Sequence, residues 1–425
     1  MRLIVYFCNA KKTNMAQIVG LTSLYPASDA LRTLLEFDPP TVDCAYLQSL
    51  GVRVEPSEET LEALSRGGRW IRARLAAGKL LPPRTCRLET IAPESIETEI
   101  HNYTGRCPTL TYEINPARGC GVGCQYCLVT DGVHEQPLTV LANYPEYVRL
   151  LLERQNGAGS ENQPHYYYFS PKTEALQEAT LSTGVAHAVL REFIAHFRRN
   201  PASRARLFIA SKAGARHLQV EDRGESILDL FSQLRGKMQF NTSVSIMPPA
   251  LRALLEPYAA PIEARLEAVK LCREAGIAAD SALVQPIFPP FLSDERIRRF
   301  FEALQKAGIR NYKPEFLTVC MENLALIGPL LGLFDKEMER QLYEDYLLPS
   351  NADHRKQRGR TAPDRALSVA LLERMRKQTD ALDLSVSICY WVRMQLGITE
   401  EQIPLVNARG FRCLGYQSRL FDDVC

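Results

Sequence analysis

Between residues 106 and 330 the chain alternates two kinds of segment. Residues 110–114, 165–169, 206–210, 238–246, 277–288 and 312–319 are apolar or aromatic runs that read as strands. Residues 145–154, 183–199, 226–235, 261–275 and 294–307 repeat apolar positions at helical spacing. Pro145 suits a first helical turn, Gly184 lies near a helix start, and Gly276 and Gly308 stop two of the helices. About six strand–helix units of this kind predict a parallel sheet with crossover helices, either a barrel or an open α/β fold.

The flanks differ. Residues 1–105 begin with an apolar stretch, 1–8, that ends at Asn9 and Lys11-Lys12 and reads as a first strand, too short for a signal peptide. A helix over 58–79 is closed by Leu81-Pro82-Pro83, and the segment from there to 105 is charged and irregular. Residues 331–425 carry a charged helix (335–346), a basic polar linker (349–365), a helix (366–380), a strand (384–392) and a Gly/Arg/Asp-rich tail with Cys413 and Cys425. Three regions follow: an N-terminal α/β extension, 1–105; a central unit, 106–330; and a C-terminal helical and strand extension, 331–425.

The chain has 425 residues, 46% of them hydrophobic, and a net charge of +2. That is enough for a large core, and the charge neither requires nor excludes a polyanionic partner. No apolar run reaches the ~18–20 residues that span a bilayer, so a cytoplasmic chain with no membrane partner is expected. Twelve cysteines are too few for a disulfide scaffold of this size, and in a reducing compartment they point to thiols, metal ligands or catalysis.

The chemistry concentrates in Asn115-Pro116-Ala117-Arg118-Gly119-Cys120-Gly121-Val122-Gly123-Cys124-Gln125-Tyr126-Cys127, three cysteines at C-x3-C-x2-C between a strand and a helix. Thiolates are the usual ligands of iron–sulfur clusters, and the interspersed glycines let the backbone curl around a cube at low steric cost. Three ligands leave one iron open to chelate a small molecule. A structural zinc site wants four ligands in paired knuckles, and the chain has no second C-x2-C or H-x3-H pair. A redox C-x2-C leaves Cys120 unexplained. The segment is read as a [4Fe–4S] site on Cys120, Cys124 and Cys127, with zinc, redox or chance pairing as the alternatives.

With Tyr126 before the last cysteine and the loop placed after a first strand, this segment resembles the radical S-adenosylmethionine superfamily. The resemblance implies a partial (β/α)6 TIM-type barrel with N-terminal and C-terminal extensions, and a cluster that donates an electron to the sulfonium of S-adenosylmethionine. Later blocks resemble the spore photoproduct lyase-like branch: Asn115-Pro116 with Gly119-Cys120; Ser211-Lys212 at a strand end; Glu256-Pro257, Pro261, Arg265-Leu266-Glu267-Ala268 and Glu274-Ala275-Gly276-Ile277; and Gln285-Pro286-Ile287-Phe288-Pro289 followed by Asp294. The match covers residues 106 to 300.

The same resemblance implies that strand ends face S-adenosylmethionine: Tyr126 in the loop, Ser170 to Glu174 toward the methionine amine, Ser211 and Lys212 toward ribose or carboxylate, and Asn241, Ser243 and Ser245 toward the ribose. The carboxyl ends of parallel strands are where such sheets bind ligands. Helix capping or turn closure accounts equally well for each polar residue alone. Glu256 and Arg265 are read as an internal salt bridge that orders a loop.

The chain departs from that branch in its cysteines. None lies between Cys127 and Cys272, where the lyases carry a hydrogen donor, and Cys272 reads as a buried small hydrophobe. Cys320, Cys413 and Cys425 are candidate catalytic thiols, able to donate hydrogen, ligate a second cluster or bind a thiophilic substrate. By analogy, 3-amino-3-carboxypropyl transfer to trivalent arsenic, as toward arsinothricin, suits such a tail. Of Cys8, Cys44, Cys86, Cys107, Cys272, Cys320 and Cys389, at least five read as buried structural thiols. His134, His165, His187 and His196 form no metal spacing and read as surface or packing residues. Arg198, Arg199, Arg204 and Arg206 read as a solvated helix end and loop.

The expected activity is reductive cleavage of S-adenosylmethionine to modify a small molecule, fed by an external electron donor such as flavodoxin or ferredoxin. The alternatives are a DNA-lesion repair enzyme and a non-catalytic iron–sulfur or zinc protein.

Overall fold

The computed structural model describes residues 17–25, 30–91, 112–127, 137–156, 165–348, 360–388 and 392. Its main sheet has seven strands: β1 (Tyr112–Ile114), β2 (His165–Phe169), β3 (Ala205–Ser211), β4 (Met238–Val244), β5 (Ala278–Ile287), β6 (Asn311–Phe316) and β7 (Ser385–Val386). Their order in the sheet is their order in the chain, and every neighbouring pair is parallel. A sheet that always adds its next strand on the same side, through right-handed crossovers, puts its crossover helices on one face. A doubly wound sheet instead reverses its order. The singly wound order is that of a partial TIM-type barrel. Six strands fall in the central region as expected, and the C-terminal extension contributes the seventh.

The two faces are distinguishable from strand alternation. Outward-facing Tyr167, Phe240 and Tyr312 pack against the helical rings Phe193, Phe231 and Phe301, with centroids 5.4, 5.9 and 4.4 Å apart. On the opposite, inward face Tyr168 meets Phe208 at 4.8 Å, so the aromatic strand 165–169 lines both faces. Lys313 on β6 brings its Nζ within 5.0 Å of the Phe208 ring on β3. Three strand spacings of ~4.8 Å separate β3 from β6. Side chains standing upright on a flat sheet would not meet across that distance; these two meet because the sheet curls.

Two further layers position the site. A four-stranded sheet orders Gln17–Gly20, Thr85–Glu89, Thr139–Leu141 and Ala117–Arg118, and its last strand runs directly into Gly119 and Cys120. Helices Glu58–Ala76 and Met321–Gly332 pack on each other in a second core with Tyr126, Leu254, Leu255 and Phe288.

Several expectations need correction. Residues 85–89, read as irregular, form a strand whose partners lie far away in sequence. The 312–319 strand stops at Phe316; Val319–Cys320 pairs instead with Arg360–Thr361, inside the span read as linker. Helix 183–199 begins at Val185, with Gly184 as its left-handed cap. Residues 1–8 and 349–359 lie outside the described residues. Among the described residues no helix is long and apolar enough to cross a membrane.

Candidate functional site

The cysteine loop leaves the carboxyl end of β1 and is clamped at every turn. Gly121 N donates to Gln177 Oε1 at 2.6 Å, and Gln177 Nε2 donates to Gly119 O at 3.4 Å. Gln125 N donates to Leu255 O at 2.9 Å, Tyr258 N donates to Val122 O at 3.2 Å, and Asn323 Nδ2 donates to Gln125 O at 2.8 Å. Gly119 and Gly123 adopt φ of +87° and +69°, a region L side chains avoid. At Gly123 a Cβ would also stand 2.6 Å from Pro82 Cδ. Gly119 and Gly123 are thus required by the turn, and Gly123 also by the close approach of Pro82.

Cys120, Cys124 and Cys127 each remain partly exposed. Burial pushes the Cys120 thiol up to about 12 and the Cys124 thiol well up, and charge on any one of the three opposes charge on the others. Three thiolates here therefore call for a cationic centre. Among the described residues no three His, Cys, Asp or Glu side chains converge on a single ion. Three thiolates in one short clamped loop are a donor set of the kind that holds an iron–sulfur cluster, and no fourth His or Cys ligand of the kind a structural zinc site wants stands with them among the described residues. The donor set fits the cube.

Beside the loop lies a buried polar network. Glu256 caps helix Pro249–Leu255. Its carboxylate accepts from the Tyr126 phenol and from Arg265 Nη2, and Lys212 Nζ lies 3.7 Å away. Arg265, fully buried, also donates to Ser243 O at 2.9 Å and to Ala260 O at 2.6 Å. Burial alone would raise the Glu256 carboxyl; Arg265 and Lys212, with the phenol, outweigh it and hold the group down to about 2. The expected Glu256–Arg265 salt bridge is present, and it reaches further than loop ordering: through Tyr126 it touches the cysteine loop itself.

Lys212 Nζ donates to Ser243 Oγ at 3.0 Å and stands 5.9 Å from the Tyr126 ring centroid. Glu174 accepts from Ser211 Oγ, from Lys212 N at 2.7 Å and from Leu176 N at 3.1 Å, tying the end of β2 to the end of β3. Ser170 has φ of +54°. Its Oγ, Asn115 Oδ1, Asn241 Nδ2 and Ser245 Oγ are buried without a partner among the described residues. An unmatched buried polar atom costs about 1–3 kcal/mol; Asn241 lies on the inward face of β4, and Asn115, Ser170 and Ser245 directly follow the carboxyl ends of β1, β2 and β4. A polar ligand at this rim would satisfy them.

The structure thus brings Tyr126, Ser170, Glu174, Ser211, Lys212, Asn241 and Ser243 to the same rim as the triplet. Cys320 is only 4% exposed and caps the start of helix Met321–Gly332. Cys413 and Cys425 lie outside the described residues, as do Cys8, Cys107, Cys389 and His134. Cys86 and Cys272 are buried as expected, but Cys44 is exposed. Arg198 and Arg199 are exposed at their helix end, with Arg198 donating to Gln233 Oε1 at 2.7 Å. Gln177, which clamps two of the loop glycines, was not foreseen: its contacts span 56 and 58 residues, and no local spacing signals them.

No family model matches the chain. A curated relative, the uncharacterized protein ORF301 of Acidianus two-tailed virus, is 29% identical over 152 residues, covering 33% of this chain and 50% of the relative, so the match spans half the relative's length. Among solved structures, Streptococcus suis SuiB bound to S-adenosylmethionine superposes with a TM-score of 0.35 at 11% identity, over 70% of this chain and 57% of that one. Methylornithine synthase PylB gives 0.35 at 9% identity, over 85% and 78%. Superpositions at this level add nothing to what the strand order already establishes.

Proposed function

We propose that the chain is a radical S-adenosylmethionine enzyme, with a [4Fe–4S] cluster held by Cys120, Cys124 and Cys127. The observation that carries this reading is the clamped three-cysteine loop at the carboxyl end of the first strand of a singly wound parallel barrel, beside unmatched polar atoms on neighbouring strands. When bound, the cluster supplies the electron that cleaves S-adenosylmethionine reductively.

The chain's own residues do the rest. Gln177, Asn323 and Gly123 fix the loop. Glu256 holds the Tyr126 ring through its phenol and lies 3.7 Å from Lys212 Nζ, whose ammonium at the rim can receive a carboxylate. Ser170, Asn241 and Ser245 offer the polar atoms that orient a bound nucleoside or amino acid. The barrel wall excludes bulk water from the reacting centre.

The finer assignment, a spore photoproduct lyase-like member acting on a small, thiophilic molecule, is supported by the motif residues. Ser211-Lys212 and Glu256 with Arg265, separate blocks in the sequence, meet in one network. Transfer of a 3-amino-3-carboxypropyl group to trivalent arsenic is the sharpest form of that proposal and depends on Cys413 and Cys425. Repair of a DNA lesion is less well supported, since Cys272 is wholly buried and cannot serve as a hydrogen donor. An external reductant of the flavodoxin or ferredoxin kind completes the proposal.

Product analysis tests it. Protein reconstituted anaerobically with iron and sulfide, then reduced with S-adenosylmethionine present, should release 5′-deoxyadenosine by the usual route or methylthioadenosine by the aminocarboxypropyl route. Iron-loaded protein that yields neither would overturn the reading.

A further inference from the structure

We propose that Glu315 anchors a protonated amine of the substrate on the inward face of the barrel. The inference rests on the enzymatic reading above and deepens it by naming a substrate class. On β6, Tyr312 faces the helices, and Asn311 and Lys313 face inward, toward Ser281 at 3.0 Å and the Phe208 ring at 5.0 Å. Alternation along the strand therefore turns Glu315 inward, one layer above Lys313 and next to the strand's carboxyl end. That is the rim from which the cysteine loop, Lys212 and Ser243 also project.

Three other carboxylates at this rim are matched. Glu113 has Lys172 at 3.2 Å; Glu174 takes three donors; Glu256 takes Arg265, Tyr126 and Lys212. Glu315, among the described residues, makes no hydrogen bond or ion pair. It also keeps part of its surface open, as do inward-facing Leu283 and Gln285 on the adjacent strand. A desolvated carboxylate with no internal cation is stabilised most by a cation that arrives with the ligand. Leu283 offers an apolar wall for the carbon chain behind that cation, and Gln285 offers an amide. A metal ion is a poorer occupant, because no second and third ligand converge here among the described residues. Burial without compensation pushes the Glu315 carboxyl up to about 7, consistent with a site whose charge awaits a partner.

The test uses the full chain, as purified, at pH 8.5, with n-butylammonium as probe and n-butanol and butyrate as comparators, followed by ligand-observed NMR titration. Butylammonium should bind at least tenfold more tightly than either comparator, and Glu315→Gln should remove that preference. Exposed Glu263→Gln should leave it intact. The glutamine is isosteric and relieves a burial penalty, so the variant should melt no lower than the parent. Absence of butylammonium binding, equal affinity for butanol, or undiminished preference in Glu315→Gln would each overturn the proposal. Iron loading and S-adenosylmethionine cleavage play no part in this titration, so failure of the enzymatic reading and failure of the amine site are separately visible.

Discussion

Lys212 Nζ lies 3.7 Å from Glu256 Oε1, and that carboxylate also serves Tyr126 and Arg265. One buried glutamate thus connects the end of β3, the cysteine loop and the helix Ile262–Glu274 that carries Arg265. Removing its charge would leave Arg265 buried and unpaired, a situation that typically costs about 3–5 kcal/mol. Glu256→Gln is expected to lower the urea unfolding free energy by that amount. A loss under about 1 kcal/mol would mean that the network is dispensable.

Two glycines separate the contributions of backbone and space. Gly123 and Gly224 both have positive φ, +69° and +78°, but a Cβ at Gly123 meets Pro82 at 2.6 Å, whereas at Gly224 nothing lies within 4 Å. Gly224→Ala should cost only the conformational strain, about 1 kcal/mol. Gly123→Ala should cost more and should also reduce iron uptake on reconstitution. Equal costs with unchanged iron uptake in both variants would contradict the described clamp.

His217 gives a pH signature. Burial lowers its imidazole to about 4, and Gly214 N donates to Nδ1 at 3.2 Å. The unfolded chain binds the proton more readily, with an ordinary value near 6.5, so stability is complete above that value and lost as pH falls from about 6.5 to about 4. The linked loss is about 3 kcal/mol. Thermal unfolding midpoints measured between pH 7 and pH 4 should fall less steeply in His217→Gln than in the parent. Parallel slopes would show that His217 is not neutral in the fold.

Much of this architecture was legible because it is local. The six central strands and their helices carry their own periods and breakers, and the cysteine triplet carries its ligand spacing within eight residues. What escaped was either non-local or without a period. The strand Thr85–Glu89 is defined by partners at 17–20 and 139–141. Helix Met321–Gly332 is apolar nearly all round, with Pro329 inside it, and so shows no amphipathic stripe; it is buried on several sides. Gln177 and Glu256 become parts of the site only when the chain closes. Glu315 alternates with Lys313 in the sequence, but which face of the strand points inward is decided by the sheet's curl.

The cluster itself is the central claim, and iron stoichiometry measures it most directly. After anaerobic reconstitution and desalting, the parent chain should retain close to four irons and four sulfides, with visible absorbance that bleaches on reduction and an electron paramagnetic resonance signal that shifts when S-adenosylmethionine is added. A Cys120→Ala/Cys124→Ala/Cys127→Ala variant of equal melting temperature should retain none. Zinc in place of iron, or equal iron in the triple variant, would contradict the account.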